Sequence, residues 1–283
     1  LREHTDAPSE YRKALKTFEE TTADKERLGA LYTKLGNAFH LAGSYEPAEH
    51  FLRRAIEIRE SLFGSDHPVV AESLNELGKI LIAKGDYTEA ELLCRRSNDI
   101  YLKEYGEMDV RTADSLSNLA TLLYSIGKYD EAELLFRKVL SILEEVLGKE
   151  HKNTIQCISD LGTVLFAKGK LDESEELFKK TLMLERKVLG DDHIQIAVSA
   201  NNLASILEKQ GEYVEAIKMV ETAIKINEKI LGPTHLETLT SMINLGLLEL
   251  RNQNYDRSEF ILKDSLITLA KVHGEDHWLN ASA

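Results

Sequence analysis

Residues Asn118–Gly148 read NLATLLYSIGKYDEAELLFRKVLSILEEVLG. Leu119, Leu122 and Leu123 fall three and four apart, and so do Ala132, Leu135, Phe136, Val139, Leu140 and Leu143. Such spacing places each set on one stripe of a helix. Gly127 and Gly148 stand just past the two stripes, where a left-handed residue closes a helix without the steric cost of a Cβ. The stretch predicts a helix, a short turn, an antiparallel helix and a glycine-capped exit.

The unit recurs every 42 residues. Gly64, Gly106, Gly148, Gly190, Gly232 and Gly274 keep that interval, as do Gly43, Gly85, Gly127, Gly169 and Gly211. Gly36, Gly78, Gly162 and Gly246 mark a third register, with Ala120 and Ala204 in its gaps. Of the 16 glycines only Gly29 falls outside these registers, so glycine here reports architecture rather than loop composition. A fixed period of this size predicts an all-α solenoid with one continuous core, despite a length that would otherwise allow two domains.

Composition narrows the partners. Lys and Arg number 35 against 48 Asp and Glu, a formal net charge of −13. That sign disfavours nucleic acid and acidic membrane surfaces. Hydrophobic residues at 43% and charged residues at 29% describe a soluble chain with ample core. No apolar run approaches the roughly 20 residues of a membrane span, and the opening LREHTDAPSE does not read as a secretory signal. Cys94 and Cys157 lie on apolar stripes of different repeats, which predicts two buried thiols and a reducing, cytoplasmic location.

In chain order, residues 1–21 read as the second helix of a preceding repeat, and 275–283 as the start of a further one. Six repeats lie between, at 22–64, 65–106, 107–148, 149–190, 191–232 and 233–274. First helices are expected over 25–42, 68–84, 110–126, 152–168, 194–210 and 236–252. Second helices are expected over 45–61, 87–104, 129–147, 171–189, 213–231 and 255–272. Half-units at both ends read as a piece of a longer array.

Leu119, Ala120, Leu123, Ala132, Phe136 and Val139 follow the tetratricopeptide pattern, as do Leu35, Gly36, Phe39, Ala48, Leu52 and Ala55, and Leu203, Ala204, Leu207, Ala216, Val220 and Ala223. Small residues there let two helices approach and large ones fill the space between them. Such units usually have about 34 residues; the longer form here, with its Leu-Gly-x-x-His connection, resembles the repeats of kinesin light chains. Leu147-Gly148-His151, Leu189-Gly190-His193 and Leu231-Gly232-His235 carry that connection intact. The resemblance implies a right-handed superhelical α-solenoid of helix-turn-helix repeats with the first helices on the concave surface.

Histidines 67, 151, 193, 235 and 277 also recur every 42 residues. One ligand per repeat cannot converge within about 2.1 Å of one ion, so a structural role at the helix entrance is expected and no metal or cofactor site. Asp109, which replaces the histidine, can cap a helix too. No GxSxG, HExxH, GxxxxGK[ST] or GxGxxG is present, so no enzyme is expected. Asn280-Ala281-Ser282 has the form of a glycosylation acceptor, read as chance in a chain without an export signal.

By the resemblance, the candidate groove includes Asn37, Asn75, Asn118, Thr121, Ser159, Asp160, Asn201, Asn202 and Asn244, with Tyr124 and Phe166 one turn further on. An asparagine amide accepts from a peptide N–H and donates to a peptide C=O at once, which holds an extended backbone irrespective of its side chains. Bridging between neighbouring helices is the competing role for Asn118, Asn202 and Asn244, and core packing the competing role for the two aromatics. Kinesin light chains bind acidic cargo peptides in a basic groove. Here Glu72, Glu76, Asp114, Asp160 and Glu208 face Lys34, Lys79, Lys209 and Arg251, which does not attract an acidic peptide. Lys34, Asn37, Asn75 and Lys79 imitate part of a carboxylate clamp, but Glu76 opposes the ligand. The expected function is a protein-protein interaction scaffold or adaptor binding an extended, neutral or basic peptide segment. A sensor or regulatory arm of a larger signalling protein, a kinesin-light-chain-like cargo adaptor and self-association through exposed end helices remain open.

Overall fold

The computed structural model describes residues 24–273. The expected helix over 1–21, the further repeat over 275–283, Gly274, His277 and the Asn280 triplet lie outside the described residues.

Twelve α-helices fill the described chain in successive pairs. They are α1 (Lys25–Leu41) with α2 (Tyr45–Phe63), α3 (Pro68–Lys84) with α4 (Tyr87–Tyr105), and α5 (Val110–Ser125) with α6 (Tyr129–Val146). The remainder are α7 (Lys152–Ala167) with α8 (Leu171–Leu189), α9 (Ile194–Gln210) with α10 (Tyr213–Ile230), and α11 (Leu236–Arg251) with α12 (Tyr255–His273). All ends fall within two residues of those expected. The chain divides into two compact units between Ile142 and Leu143.

The periodic histidines start helices. His67, His151, His193 and His235 are the N-caps of α3, α7, α9 and α11, and each imidazole Nδ1 accepts the backbone N–H two residues on, at 3.3, 3.2, 3.2 and 3.2 Å. Asp109 caps α5 in the same way, accepting from Arg111 N at 2.8 Å. These bonds satisfy amides that have no partner inside the helix.

The glycines close helices in two ways. Gly85 and Gly211 end α3 and α9 in the expected left-handed conformation, with φ 83° and 84° and ψ near zero. The exit glycines depart from it: Gly64, Gly106 and Gly190 keep a positive φ, but ψ is 162°, −179° and 164°. That region is open essentially to glycine alone. It leaves the carbonyl free for the next first helix, and Thr112 Oγ1 donates to Gly106 O at 2.8 Å. Gly148, which the sequence assigned a left-handed cap, has φ 87° and receives the same bond from Thr154 at 2.8 Å.

First and second helices cross at the third glycine register. A Cβ at Gly36 would lie 2.6 Å from Leu52 Cγ, at Gly78 2.8 Å from Cys94 Sγ, at Gly162 2.8 Å from Phe178 Cε2, and at Gly246 2.6 Å from Leu262 Cγ. Ser174 and Ser258 stand where other repeats have alanine, and their hydroxyls donate across the crossing to Gly162 O and Gly246 O at 2.8 and 2.7 Å. Cys94 and Cys157 are buried thiols outside any disulfide, pushed by burial up to about 11 and about 12.

Not every glutamate lies on a solvated face. Glu249 occupies the register of Leu81, Leu123, Leu165 and Leu207 and is fully buried. Its compensation is local: Arg257 Nη1 lies 2.6 Å from Glu249 Oε1, and Asn254 Nδ2 donates to Oε2 at 2.6 Å. Neighbouring second helices are also joined by a recurrent ion-pair register. Arg53–Glu89 and Arg96–Glu60 form it in the first unit at 2.7 and 2.6 Å, and Lys180–Glu144 and Arg257–Glu221 in the second at 3.2 and 2.6 Å. Exposed pairs of this kind contribute about 0–1 kcal/mol each, so they set register more than stability.

Gly162→Val places two methyl groups against Phe178 and is expected to lower stability by about 1–3 kcal/mol in chemical denaturation. An unchanged midpoint would mean that the crossing is looser than described.

Candidate functional site

The polar residues of the first helices divide into those already bonded within a unit and those left open. In the first unit, Asn75 is buried, and its Oδ1 accepts from Asn118 Nδ2 at 2.8 Å, which ties α3 to α5. Part of the Asn118 amide is therefore used on the neighbouring repeat. The Asn37 Oδ1 on α1 is buried and accepts no hydrogen bond from the described residues. Thr121 is exposed, and its hydroxyl donates back to Ser117 O at 3.0 Å. Tyr124 is half-buried, its ring 5.6 Å from that of Tyr129.

In the second unit, Asn201 Nδ2 donates to Ser241 Oγ at 3.2 Å, joining α9 to α11, while its Oδ1 is buried without a partner. Asn202 and Asn244 are both exposed. Ser159 is half-buried and its carbonyl accepts from Thr163 Oγ1 at 3.0 Å. Phe166 is half-buried against the core of the unit, beside residues such as Leu203 and Leu207. Side-chain bridging thus involves Asn118 and Asn201 but not Asn202 or Asn244. Ser241, which anchors Asn201, was not singled out in the sequence; its recurrence at the register of Ser73, Ser115 and Ser199 was the available signal.

A recess of about 220 Å³ opens between α9 and α11. Asn201, Ser205, Asn244 and Leu247 line it with the paired Glu208 and Arg251, and Val220 of α10 forms part of its apolar wall. It offers the exposed Asn244 amide beside apolar surface, a combination suited to a peptide backbone with a small side chain.

Pairing cancels much of the groove's charge. Glu76 is neutralised by Lys79 at 2.8 Å, Glu72 by Arg59 at 2.8 Å and Glu208 by Arg251. Asp160 has no cationic partner among the described residues; its Oδ1 accepts from Gln156 Nε2 at 2.9 Å. Burial pushes the Asp160 carboxyl up to about 6, and the Gln156 bond only partly opposes this. Asp114 is raised too, chiefly by burial.

With this geometry in place, likeness to known proteins can be stated. The tetratricopeptide repeat pattern matches residues 27–103, 69–145, 111–184, 154–226 and 195–269. The chain belongs to the tetratricopeptide repeat family. Nephrocystin-3 of Xenopus tropicalis is 38% identical over 77 residues, which are 26% of this chain and 6% of that protein. Among solved structures, the nearly identical kinesin light chain TPR-like repeats of Podosopora anserina superpose with TM-score 0.66 at 24% identity, covering 72% of this chain and 97% of that one. The Rap conjugation gene regulator of plasmid pLS20, solved in complex with the Phr peptide, gives 0.61 at 20% identity, covering 85% of this chain and 62% of that one. At such identities the structural likeness establishes the fold alone. No helix among the described residues is long and apolar enough to cross a membrane.

The raised Asp160 carboxyl has a testable sign. Its stabilising contribution is complete below the ordinary value of 3.8 and is lost as pH rises through about 6. Asp160→Asn is therefore expected to raise the thermal midpoint above about pH 6, with the gain shrinking toward pH 3.8. Melting curves across that range check it; a pH-independent difference would contradict it.

Proposed function

We propose that this chain is a protein-protein interaction scaffold that captures an extended, neutral or basic segment of a partner along its first helices. The role is non-enzymatic, requires no cofactor and is cytoplasmic. The recess between α9 and α11 carries the reading. The exposed Asn244 amide stands beside apolar surface there, and the lining cation Arg251 is already paired with Glu208. Backbone capture by amides is insensitive to sequence and weak per bond, about 0.5–1.5 kcal/mol. Several repeats must then act together. Internal pairing of Glu76 and Glu208, with Asp160 left without a cation, supports a neutral or basic segment over an acidic one. The peptide held by the pLS20 regulator supports a peptide as the ligand class.

The test is fluorescence anisotropy with end-capped peptides of basic, neutral and acidic composition. Basic or neutral peptides are expected to bind, and Asn202→Ala with Asn244→Ala to weaken them several-fold at an unchanged thermal midpoint, since both side chains are exposed. Asn118→Ala differs: it leaves the buried Asn75 Oδ1 without its donor and is expected to cost about 1 kcal/mol of stability. Binding confined to acidic peptides, or unaffected by the double substitution, would contradict the proposal.

A further inference from the structure

A second recess, of about 190 Å³, lies at the Gly190 turn of the second unit, lined by Lys152, Ile155, Glu185, Val188, His193 and Gln195 among others. It shares no lining residue with the recess between α9 and α11. Glu185 is only 3% exposed, and its Oε2 has no hydrogen-bond partner. Ser199, 1% exposed, also leaves its hydroxyl without a partner. Ser199 and Gln195 are the polar groups that face the carboxyl. Among the described residues no cation pairs with Glu185; Lys152 stands exposed on the lining, and His193 Nδ1 is used on Gln195 N.

The repeat register shows what is unusual. Arg59, Tyr101, Leu143, Glu185 and Asn227 are each 42 residues apart, and all are buried. Fourteen residues on in each repeat come Ser73, Ser115, Cys157, Ser199 and Ser241, and the pair meets at Arg59–Ser73, Glu185–Ser199 and Asn227–Ser241. In the first unit Arg59 fills its place with its own guanidinium: Nη1 donates to Ser73 Oγ at 2.8 Å and to Val69 O at 2.7 Å. Asn227 likewise donates to Ser241 Oγ, at 3.4 Å. At Glu185 the side-chain donor is replaced by an acceptor: Glu185 Oε2 and Ser199 Oγ make no well-formed hydrogen bond among the described residues, and the nearby Ser199 and Gln195 only partly offset the burial of the carboxyl. A buried carboxylate without a counter-charge is costly, and a cation from outside would remove that cost. Burial holds the Glu185 carboxyl above the ordinary range, in keeping with a missing partner.

We propose that this recess is a receptor for an arginine side chain of a partner protein, its guanidinium seated on Glu185 and its stem against Ile155 and Val188. A guanidinium at the equivalent register of the first unit, and a buried carboxyl without a counter-charge in this one, select that occupant. The planar fork matches a carboxylate with two donors. The site does not rest on the groove: a partner could be held by its backbone there and anchored here, or use either alone.

The test is a titration of the full chain followed by amide NMR, using methylguanidinium, methylammonium and N-acetyl-arginine amide at constant ionic strength. The expected result is saturable shifts for Gln195, Ser199 and Ile155 with both guanidinium compounds, and at least several-fold weaker binding of methylammonium. Glu185→Gln, which keeps the side-chain shape, should abolish those shifts. Asn202→Ala with Asn244→Ala should leave them intact, which separates failure here from failure of the groove. Equal shifts in Glu185→Gln, absence of saturation in the parent, or equal binding of methylammonium would overturn the assignment. Circular dichroism of each variant confirms that it is folded.

Discussion

The first and second helices of each pair cross so closely that the crossing residue is either a glycine, where an added Cβ would collide with the opposing side chain, or a buried alanine. Glycine fills this place at 36, 78, 162 and 246, and a buried alanine at 120 and 204. Close crossing brings the large residues on either side into contact, as Leu52 and Phe178 show by standing under 3 Å from a notional Cβ. It also makes backbone carbonyls reachable, which Ser174 and Ser258 exploit with hydroxyl bonds to the opposing helix. The same arrangement repeats because 42 residues return the chain to an equivalent start, set by a side-chain cap after each exit glycine and, at Gly106, Gly148 and Gly232, by a threonine bond to the glycine carbonyl.

That packing decides what is left for a ligand. The apolar stripe of each first helix is consumed by the core, so its remaining faces carry asparagine, serine and threonine. Some of these groups are spent at once on the adjoining repeat. Asn118 meets Asn75, and Asn201 meets Ser241, over pairs that are close only because the repeats stack at constant pitch. Asn202 and Asn244 stay exposed, Asn244 beside the apolar wall of the recess. The proposed groove is therefore a shared resource: some amides hold the array together, and their neighbours stay open for a guest chain.

Much of this was legible in the residues. Helix positions followed from spacing, since stripes and glycines both repeat, and the histidines were readable as structural because one per repeat cannot converge on an ion. Side-chain partnerships were not legible. The period places Asn75 near Asn118, but rotamers decide whether their amides bond to each other or face outward. The conformation of the exit glycines escaped for a similar reason, because composition reports that φ is positive and not what ψ must be. Glu249 and Glu185 were hidden by the habit of assigning glutamate to solvent. Their register was the signal, since the equivalent residues include Leu207 for one and Leu143 for the other. At Glu249 an arginine at 257, where other repeats place glutamate, supplies the counter-charge. At Glu185 no described side chain of the unit does so.

The central proposal is that first-helix amides hold a partner's backbone. Cross-saturation NMR tests it most directly, with a neutral or basic peptide irradiated and a deuterated, amide-protonated chain observed. Saturation reaching α9 and α11 around Asn202 and Asn244 is the expected result. Saturation confined to the exposed faces of the second helices α8, α10 and α12 would contradict it.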